Sequence, residues 1–242
     1  MDGERLNKYL SAAGICSRRE ADRAIEAGEV KVDGVTAELG TRVTEGQTVV
    51  FRGKKVSGAQ EKAVLIAFYK PRGIVCTTST REPDNVVSFL NYSTRIYPIG
   101  RLDKESEGLL LLTNQGGLMD EILRSRNDHE KEYEVTVNKP VTPEFCRKMA
   151  HGVELADLDT VTKPCEVHQV GKKVFTIVLT QGLNRQIRRM CETLGYRVIA
   201  LKRTRIMNIR LNHLLPGSYR NVTPEELRGL SELIERDDQE QN

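Results

Sequence analysis

The chain has 242 residues, of which 38% are apolar and 29% charged, and its net charge is +3. These proportions are ordinary for a soluble globular protein and leave room for one domain or two. No apolar run approaches the roughly 20 residues that span a bilayer, and five scattered cysteines without a Cys-x-x-Cys pair argue against a zinc site or a disulfide framework.

The start, Met1-Asp2-Gly3-Glu4-Arg5, has no signal-peptide pattern, so a cytoplasmic location is expected. Residues 4–56 read as a small α+β unit. "RLNKYLSAAG" places Leu6, Tyr9, Leu10 and Ala13 on one helical face and stops at Gly14. "SRREADRAIEAG" opens with Ser17 and Glu20 in capping-box spacing, buries Ala21, Ala24 and Ile25, and turns Arg18, Arg19 and Arg23 outward. Short strands follow in "EVKVDG" and "GQTVVFRG". Two basic helices beside a small sheet suit an RNA backbone. A generic α+β module is the plain alternative. "GKKVSGAQEK" (53–62), rich in Gly and Lys and without an apolar period, reads as a linker, with the boundaries set at 1–56, 57–62 and 63–242.

From residue 63 strand-like runs dominate: "AVLIAFY", "RIYPIG", "GLLLLT", "YEVTV", "TKPCEVHQV", "KVFTIVLT" and "YRVIALKRTRI". Helical patterns are fewer, at "GGLMDEILR", "TPEFCRKMAHG", "NRQIRRMCETLG" and "TPEELRGLSELIER". Strands outnumber helices and do not alternate regularly with them. This predicts an α+β fold, a mixed and largely antiparallel sheet flanked by helices. Charge is unevenly spread. Residues 185–205 hold seven basic side chains against one acid, a run suited to phosphates or simply to a solvated face, and residues 225–240 hold seven acids.

Four stretches are candidates for one site. "YKPRGIV" is a turn after a buried strand, shaped by Pro71 and Gly73. "GRLDKESEGLLLLTN" runs from a charged excursion into four leucines, apolar on both faces and therefore central. Asp103, beside Leu102, is expected to be the working acid, buried and paired, with Glu105 and Glu107 solvated; a capping aspartate in a charged turn is the plain alternative. "HEKEYEVTV" brings Lys131 and Tyr133 to the start of a strand, where the tyrosine packs or stacks a base. "LTQGLNRQIRRMCETLGY" places Asn184 as a helix cap, with Ile187, Met190, Cys191 and Leu194 inward. Arg188, at the edge of that buried side, needs an anion, and bidentate contact with a carboxylate such as Asp103 is the best partner.

"KPRG", "GRLDKESEGLLLLTN", "KEY" and "GLNRQIRRM", in this order, resemble the signatures of RNA pseudouridine synthases, specifically the bacterial ribosomal group with an N-terminal S-four RNA-binding domain. That domain is what "RLNKYLSAAGICSRREADRAIEAGEVKVDG" resembles. The resemblance implies a sheet of about eight strands with flanking helices, uridine in the large ribosomal RNA as substrate, and a transfer RNA as a second one. It implies Asp103 as nucleophile, Tyr133 stacked on the target uracil, Arg188 paired with Asp103, Ile187 lining the pocket and Arg101 holding the flipped nucleotide. Lys70, Arg185 and Arg189 are placed among the substrate contacts, and Lys8, Arg18, Arg19 and Arg23 among the RNA contacts. The family's loop usually has Thr two residues before its glycine; Ser106 here keeps the hydroxyl. The isomerisation oxidises nothing and consumes no water, so no cofactor and no metal are expected, and no membrane; a monomer is expected. An aspartic acid, with a reference pKa of about 3.9, is ionised at neutral pH without tuning.

Other readings fit less well. A glycosidase needs two carboxylates roughly 5–10 Å apart, and a sugar platform of tryptophans, but Trp is absent. A non-catalytic RNA-binding scaffold has no need of Asp103, Tyr133 and Arg188 together. A DNA-binding helix-turn-helix at "NRQIRRMCETLG" lacks a second helix after it. His129, His151, His168 and His213 show no metal-ligand spacing and receive no role.

Overall fold

A computed structural model describes residues 3–56, 62–79, 81–123 and 129–239. The chain divides into two compact units. The smaller comprises the residues up to Val64 with Tyr92–Ile96 and Asn114–Gly117; the larger comprises the rest.

In the smaller unit, β1 (Glu4–Arg5) leads into α1 (Leu6–Ala12) and then α2 (Arg18–Glu26). The Ser17 side chain caps α2 by accepting the Glu20 amide at 3.1 Å. Strands β2 (Val30–Val32), β3 (Val35–Thr36), β4 (Arg42–Val43), β5 (Val49–Phe51) and β6 (Lys54–Lys55) complete it. β4 pairs with β1, and the other four form a sheet in the order β3-β2-β5-β6. Leu6 and Leu10 from α1, Ala21, Ala24 and Ile25 from α2, and Val30, Val32 and Val49 from the sheet make its core. Arg19 and Arg23 are exposed, whereas Arg18 is half-buried rather than turned fully outward. The first residues of the stretch that reads as a linker belong to the sheet. Lys54 and Lys55 pair with β5 as the edge strand β6, and Val56 is buried in the core of this unit. Residues 57–61 lie outside the described residues, and Lys62 is bound through its carbonyl by the Asn114 amide at 3.0 Å.

The larger unit is built on β7 (Leu65–Lys70), α3 (Val86–Leu90), β8 (Tyr97–Ile99), β9 (Glu107–Thr113), α4 (Gly116–Leu123), β10 (Lys131–Val137), α5 (Pro143–His151), β11 (Glu154–Leu155) and β12 (Thr160–Val161). It continues through β13 (Glu166–Gly171), β14 (Val174–Leu179), α6 (Gln186–Thr193), β15 (Val198–Ile206), β16 (Ile209–Arg210), β17 (Tyr219–Asn221) and α7 (Pro224–Gln239). Nine strands form one sheet, in the order β13-β14-β10-β15-β9-β7-β17, with β16 on β15 and β8 on β9. Among the described residues the strand pairings of this sheet are antiparallel except β15 with β9. The expected α+β class, with its mixed and largely antiparallel sheet, is what the chain adopts.

Leu109–Leu112 are fully buried because β9 lies inside the sheet and alternate leucines meet opposite layers. Leu109 and Leu111 pack with Ile122 of α4 and with Leu230 and Ile234 of α7. On β10, β14 and β15 the other face is covered by α5 and α6, through Phe145, Met149, Ile187, Met190 and Cys191. Each such side chain contributes roughly 2 kcal/mol by leaving water. Among the described residues no helix is long and apolar enough to cross a membrane. The sequence reading misses the five-residue α3, capped by Asn85, the edge strand β17, and short strands such as β11, β12 and β16.

Candidate active site

The excursion between β8 and β9 is a tight loop whose main chain is held from beneath. Asp103 opens a turn closed by the Ser106 amide on the Asp103 carbonyl at 3.0 Å, a position that suits aspartate. The "KPRG" turn supports it. The Gly73 amide donates to the Lys104 carbonyl at 2.8 Å. Lys70 is fully buried, and its ammonium donates to the carbonyls of Pro71 at 2.9 Å and Ser106 at 2.7 Å. The Leu102 amide rests on the Cys76 sulfur at 3.3 Å. Burial pushes the Lys70 ammonium below its ordinary pKa and the Cys76 thiol above its own.

Both ends of the loop are tied by Arg203 of β15. This arginine is only 3% exposed. Its Nε donates to the Leu109 carbonyl at 2.7 Å and its Nη1 to the Arg101 carbonyl at 3.5 Å. Gly108 makes the approach possible: at φ +109° it crosses the β15 backbone where an added Cβ would sit 2.3 Å from the Arg203 carbonyl oxygen.

Two guanidinium groups from a distant part of the chain meet the carboxylate. Arg185 Nη1 lies 3.5 Å and Arg188 Nε 3.6 Å from Asp103 Oδ2. Arg188 also donates from Nη2 to the Ser106 hydroxyl at 3.2 Å, so the loop carries both groups that orient it. Its side chain is 11% exposed, against 31% for Asp103 and 44% for Arg185. Burial, and then the neighbouring Arg185 charge, lower the Arg188 pKa, although a guanidinium this basic stays charged.

The geometry corrects several expectations. Asp103 is paired but only half-buried, and its contact with Arg188 is a single edge-on approach, not a bidentate one. Glu105 is exposed as expected. Glu107 is not solvated: it begins β9, is 25% exposed, lies 3.6 Å from Arg72 Nε and accepts the Tyr69 hydroxyl at 3.4 Å. Lys70 has its ammonium under the loop rather than free for substrate. Arg189 is turned away from Asp103, its side chain engaged by Asn184 at 2.9 Å and by Asp157. Asn184 therefore does not cap α6; Arg185 stands at that position in the left-handed conformation, φ +52°. Ile187 is buried in the core beneath α6. Lys8 is ion-paired with Glu4 at 3.2 Å.

The basic run 185–205 is no single patch. Arg185 and Arg188 face Asp103, Lys202 pairs with Glu134 at 2.8 Å, Arg205 pairs with Glu130 and Glu132, Arg203 is buried, and Arg197 lies beyond the far end of α6. A strand sends alternate residues to opposite faces, so charges adjacent in sequence part in space.

Tyr133 is half-buried on β10, directly across from Arg203, and packs partly against the core. Lys131, two residues earlier, donates to the His129 carbonyl at 2.9 Å. Burial, aided by the Arg203 charge, brings its pKa down to about 8. Arg101, at the mouth of the loop, is exposed. Arg203 and Ser106 are absent from the sequence-derived site. The signal for Ser106 is its place in the loop; that for Arg203 is the arginine opposite Gly108, visible only once the parallel register is known.

Comparison with known proteins places this arrangement. Residues 64–193 match the RNA pseudouridylate synthase family, and residues 4–49 match the S4 domain. The chain is 54% identical over 237 residues to the dual-specificity RNA pseudouridine synthase RluF of Escherichia coli K12, a match covering 98% of this chain and 81% of that one. It is 36% identical to the ribosomal large subunit pseudouridine synthase B of Bacillus subtilis 168, covering 96% and 97% of the two chains. A crystal structure of a pseudouridylate synthase superposes with a TM-score of 0.69 at 27% identity, covering 94% of this chain and all of that one. With the family match over residues 64–193 and 54% identity along almost its whole length to a pseudouridine synthase, the chain belongs to the RNA pseudouridine synthase family.

Proposed function

We propose that this enzyme converts uridine in large-subunit ribosomal RNA to pseudouridine, with Asp103 as nucleophile and the target base flipped out of its stack. The convergence of Arg185 and Arg188 on one oxygen of Asp103 carries this reading. Two cations fix a carboxylate that is still open to solvent, which is what a nucleophile needs and a structural ion pair does not. The ribosomal relative supports the substrate class, and the dual-specificity relatives support a second RNA substrate, for which a transfer RNA is our proposal.

The reaction is balanced within the nucleotide. The C1′–N1 bond breaks, the uracil turns, C5 bonds to C1′, C5 releases its proton and N1 ends protonated. The free Asp103 oxygen adds to C1′ or to the ring, and either adduct holds the fragments together while the base rotates. Arg188 and Arg185 keep the other oxygen fixed, so little entropy is lost on approach. Extruding the base costs a few kcal/mol, which stacking on an aromatic ring offsets. Tyr133 presents that ring and exposed Arg101 occupies the vacated space.

Tritium release from ribosomal RNA carrying [5-³H]uridine tests this. The wild type is expected to release label and Asp103→Asn to release none. Equal release by the two proteins overturns the assignment.

A further inference from the structure

We infer a second RNA-binding surface, at the end of the main sheet where β10 finishes and β15 begins, formed by Lys139, Lys172, Lys173 and Arg197. This inference rests on the ribosomal RNA reading above. All four side chains are exposed, and none has a carboxylate partner among the described residues. Some exposed cations elsewhere in the chain are instead ion-paired, such as Lys8 with Glu4, Arg52 with Glu29 and Lys148 with Glu144; what sets these four together is their position on adjoining connections. Only Arg197 belongs to the basic run of the sequence; the fold supplies the other three.

Three connections bring the residues together, and main-chain hydrogen bonds hold those connections against one another. The Val137 amide donates to the Lys173 carbonyl and the Val141 amide to the Lys172 carbonyl, both at 2.9 Å. The Asn138 amide donates to the Arg197 carbonyl at 3.0 Å, and the Arg197 amide returns to the Asn138 side chain at 2.8 Å. Lys139 Nζ lies 4.2 Å from the centre of the Tyr196 ring, whose hydroxyl donates to the Pro140 carbonyl at 3.2 Å. The backbone beneath the four charges is therefore rigid, so binding an anion costs side-chain entropy alone.

The position indicates the partner. Tyr133 and this surface are joined by β10, and four residues of strand span about 13 Å. α6 joins Arg185 and Arg188 to the same surface, and eight helical residues span about 12 Å. A nucleic-acid duplex carries one charge per roughly 1.7 Å of axis, so an RNA helix flanking the target nucleotide extends across that distance. Lysines that act as point charges suit contacts with its phosphates, which set register and orientation without reading sequence.

The test compares wild type with the combined variant Lys139→Gln, Lys172→Gln, Lys173→Gln, Arg197→Gln on two RNAs. One is a short hairpin holding the target uridine; the other is a long ribosomal fragment holding the same hairpin and its adjoining helices. On the long RNA the slope of log K against log salt is expected to become shallower by roughly 0.9 for each phosphate that the variant no longer neutralises, and affinity at physiological salt to fall at least tenfold. On the hairpin, tritium release and affinity are expected to stay within twofold of wild type. Unchanged affinity and salt slope on the long RNA overturn the inference, as does an equal fall in affinity on both RNAs. A variant that no longer binds polyglutamate but keeps its RNA binding assigns the surface to an acidic protein instead and overturns it too. Absence of label release by the wild type on either RNA contradicts the functional reading, a result distinct from all of these.

Discussion

Arg188 meets Asp103 edge-on, with Nε 3.6 Å from Oδ2, while its Nη2 is held at 3.2 Å by the hydroxyl of Ser106, three residues along the same loop. The carboxylate and the group that aims its arginine therefore move as one piece. A shift of the loop carries both, and the ion pair survives motion that would break a contact between independent elements.

Removing the hydroxyl should uncouple them. A hydrogen bond to a charged group is worth about 1.5–3 kcal/mol, so Ser106→Ala is expected to lower kcat about tenfold with KM little changed. Ser106→Thr, which retains the hydroxyl, should keep most of the activity. Steady-state tritium release measures both. An alanine variant as active as wild type would show that Ser106 does not aim Arg188.

Arg203 ties the entrance and exit of the loop through the carbonyls of Arg101 and Leu109. A lysine carries all its donors on one nitrogen, whereas Arg203 reaches the two carbonyls from two different nitrogens, Nε and Nη1. Arg203→Lys is expected to lower kcat tenfold or more at near-normal KM, with a stability loss of about 1–2 kcal/mol for the abandoned bond. Kinetics alongside urea unfolding decide it. A rise in KM at constant kcat would place Arg203 in substrate binding instead.

Gly108 has no room for a side chain: an added Cβ meets the Arg203 carbonyl oxygen at 2.3 Å and its nitrogen at 2.6 Å. Gly108→Ala should cost about 3 kcal/mol or more, because the obstruction is backbone and the φ is positive. Gly34→Ala, also at positive φ but facing open space, is the control and should cost less. Equal urea midpoints for the two variants would refute the close-approach argument.

Lys131 gives a pH dependence of definite sign. Its pKa in the folded protein, about 8, lies below the ordinary lysine value of about 10.4. Below pH 8 the ammonium is charged in both states and the fold bears the whole cost of burying it. Between those values the unfolded chain binds more protons, so stability rises with pH. Compared with Lys131→Met, the wild type should gain stability between pH 7.5 and pH 9.5. Parallel urea-midpoint curves for the two proteins would show that the lysine does not titrate there.

Much of this molecule is legible from its residues. The four leucines of β9 are apolar on both faces, and only an interior strand covered by two layers accepts that pattern. Ser17, Thr142 and the positive-φ glycines punctuate elements locally, so their helices and turns follow from short stretches alone. Asp103 stands out because an acid beside the first residues of such a strand has an unusual setting. Glu107 gives no such signal: its neighbours in sequence are polar, but its partners Tyr69 and Arg72 come from β7 and the turn after it.

What the sequence determined by itself was the alternation of apolar and polar positions, the caps and the turn residues, and with them the class of fold and the loop that bears the acid. The tertiary structure alone decided which charges meet. Arg185 and Arg188 turn to Asp103, Arg189 turns away from it, and Lys70 and Arg203 lie under the loop, although all five are cations. The reason is range: apolar periodicity acts between residues a few positions apart, whereas an ion pair depends on strand register set by the whole sheet.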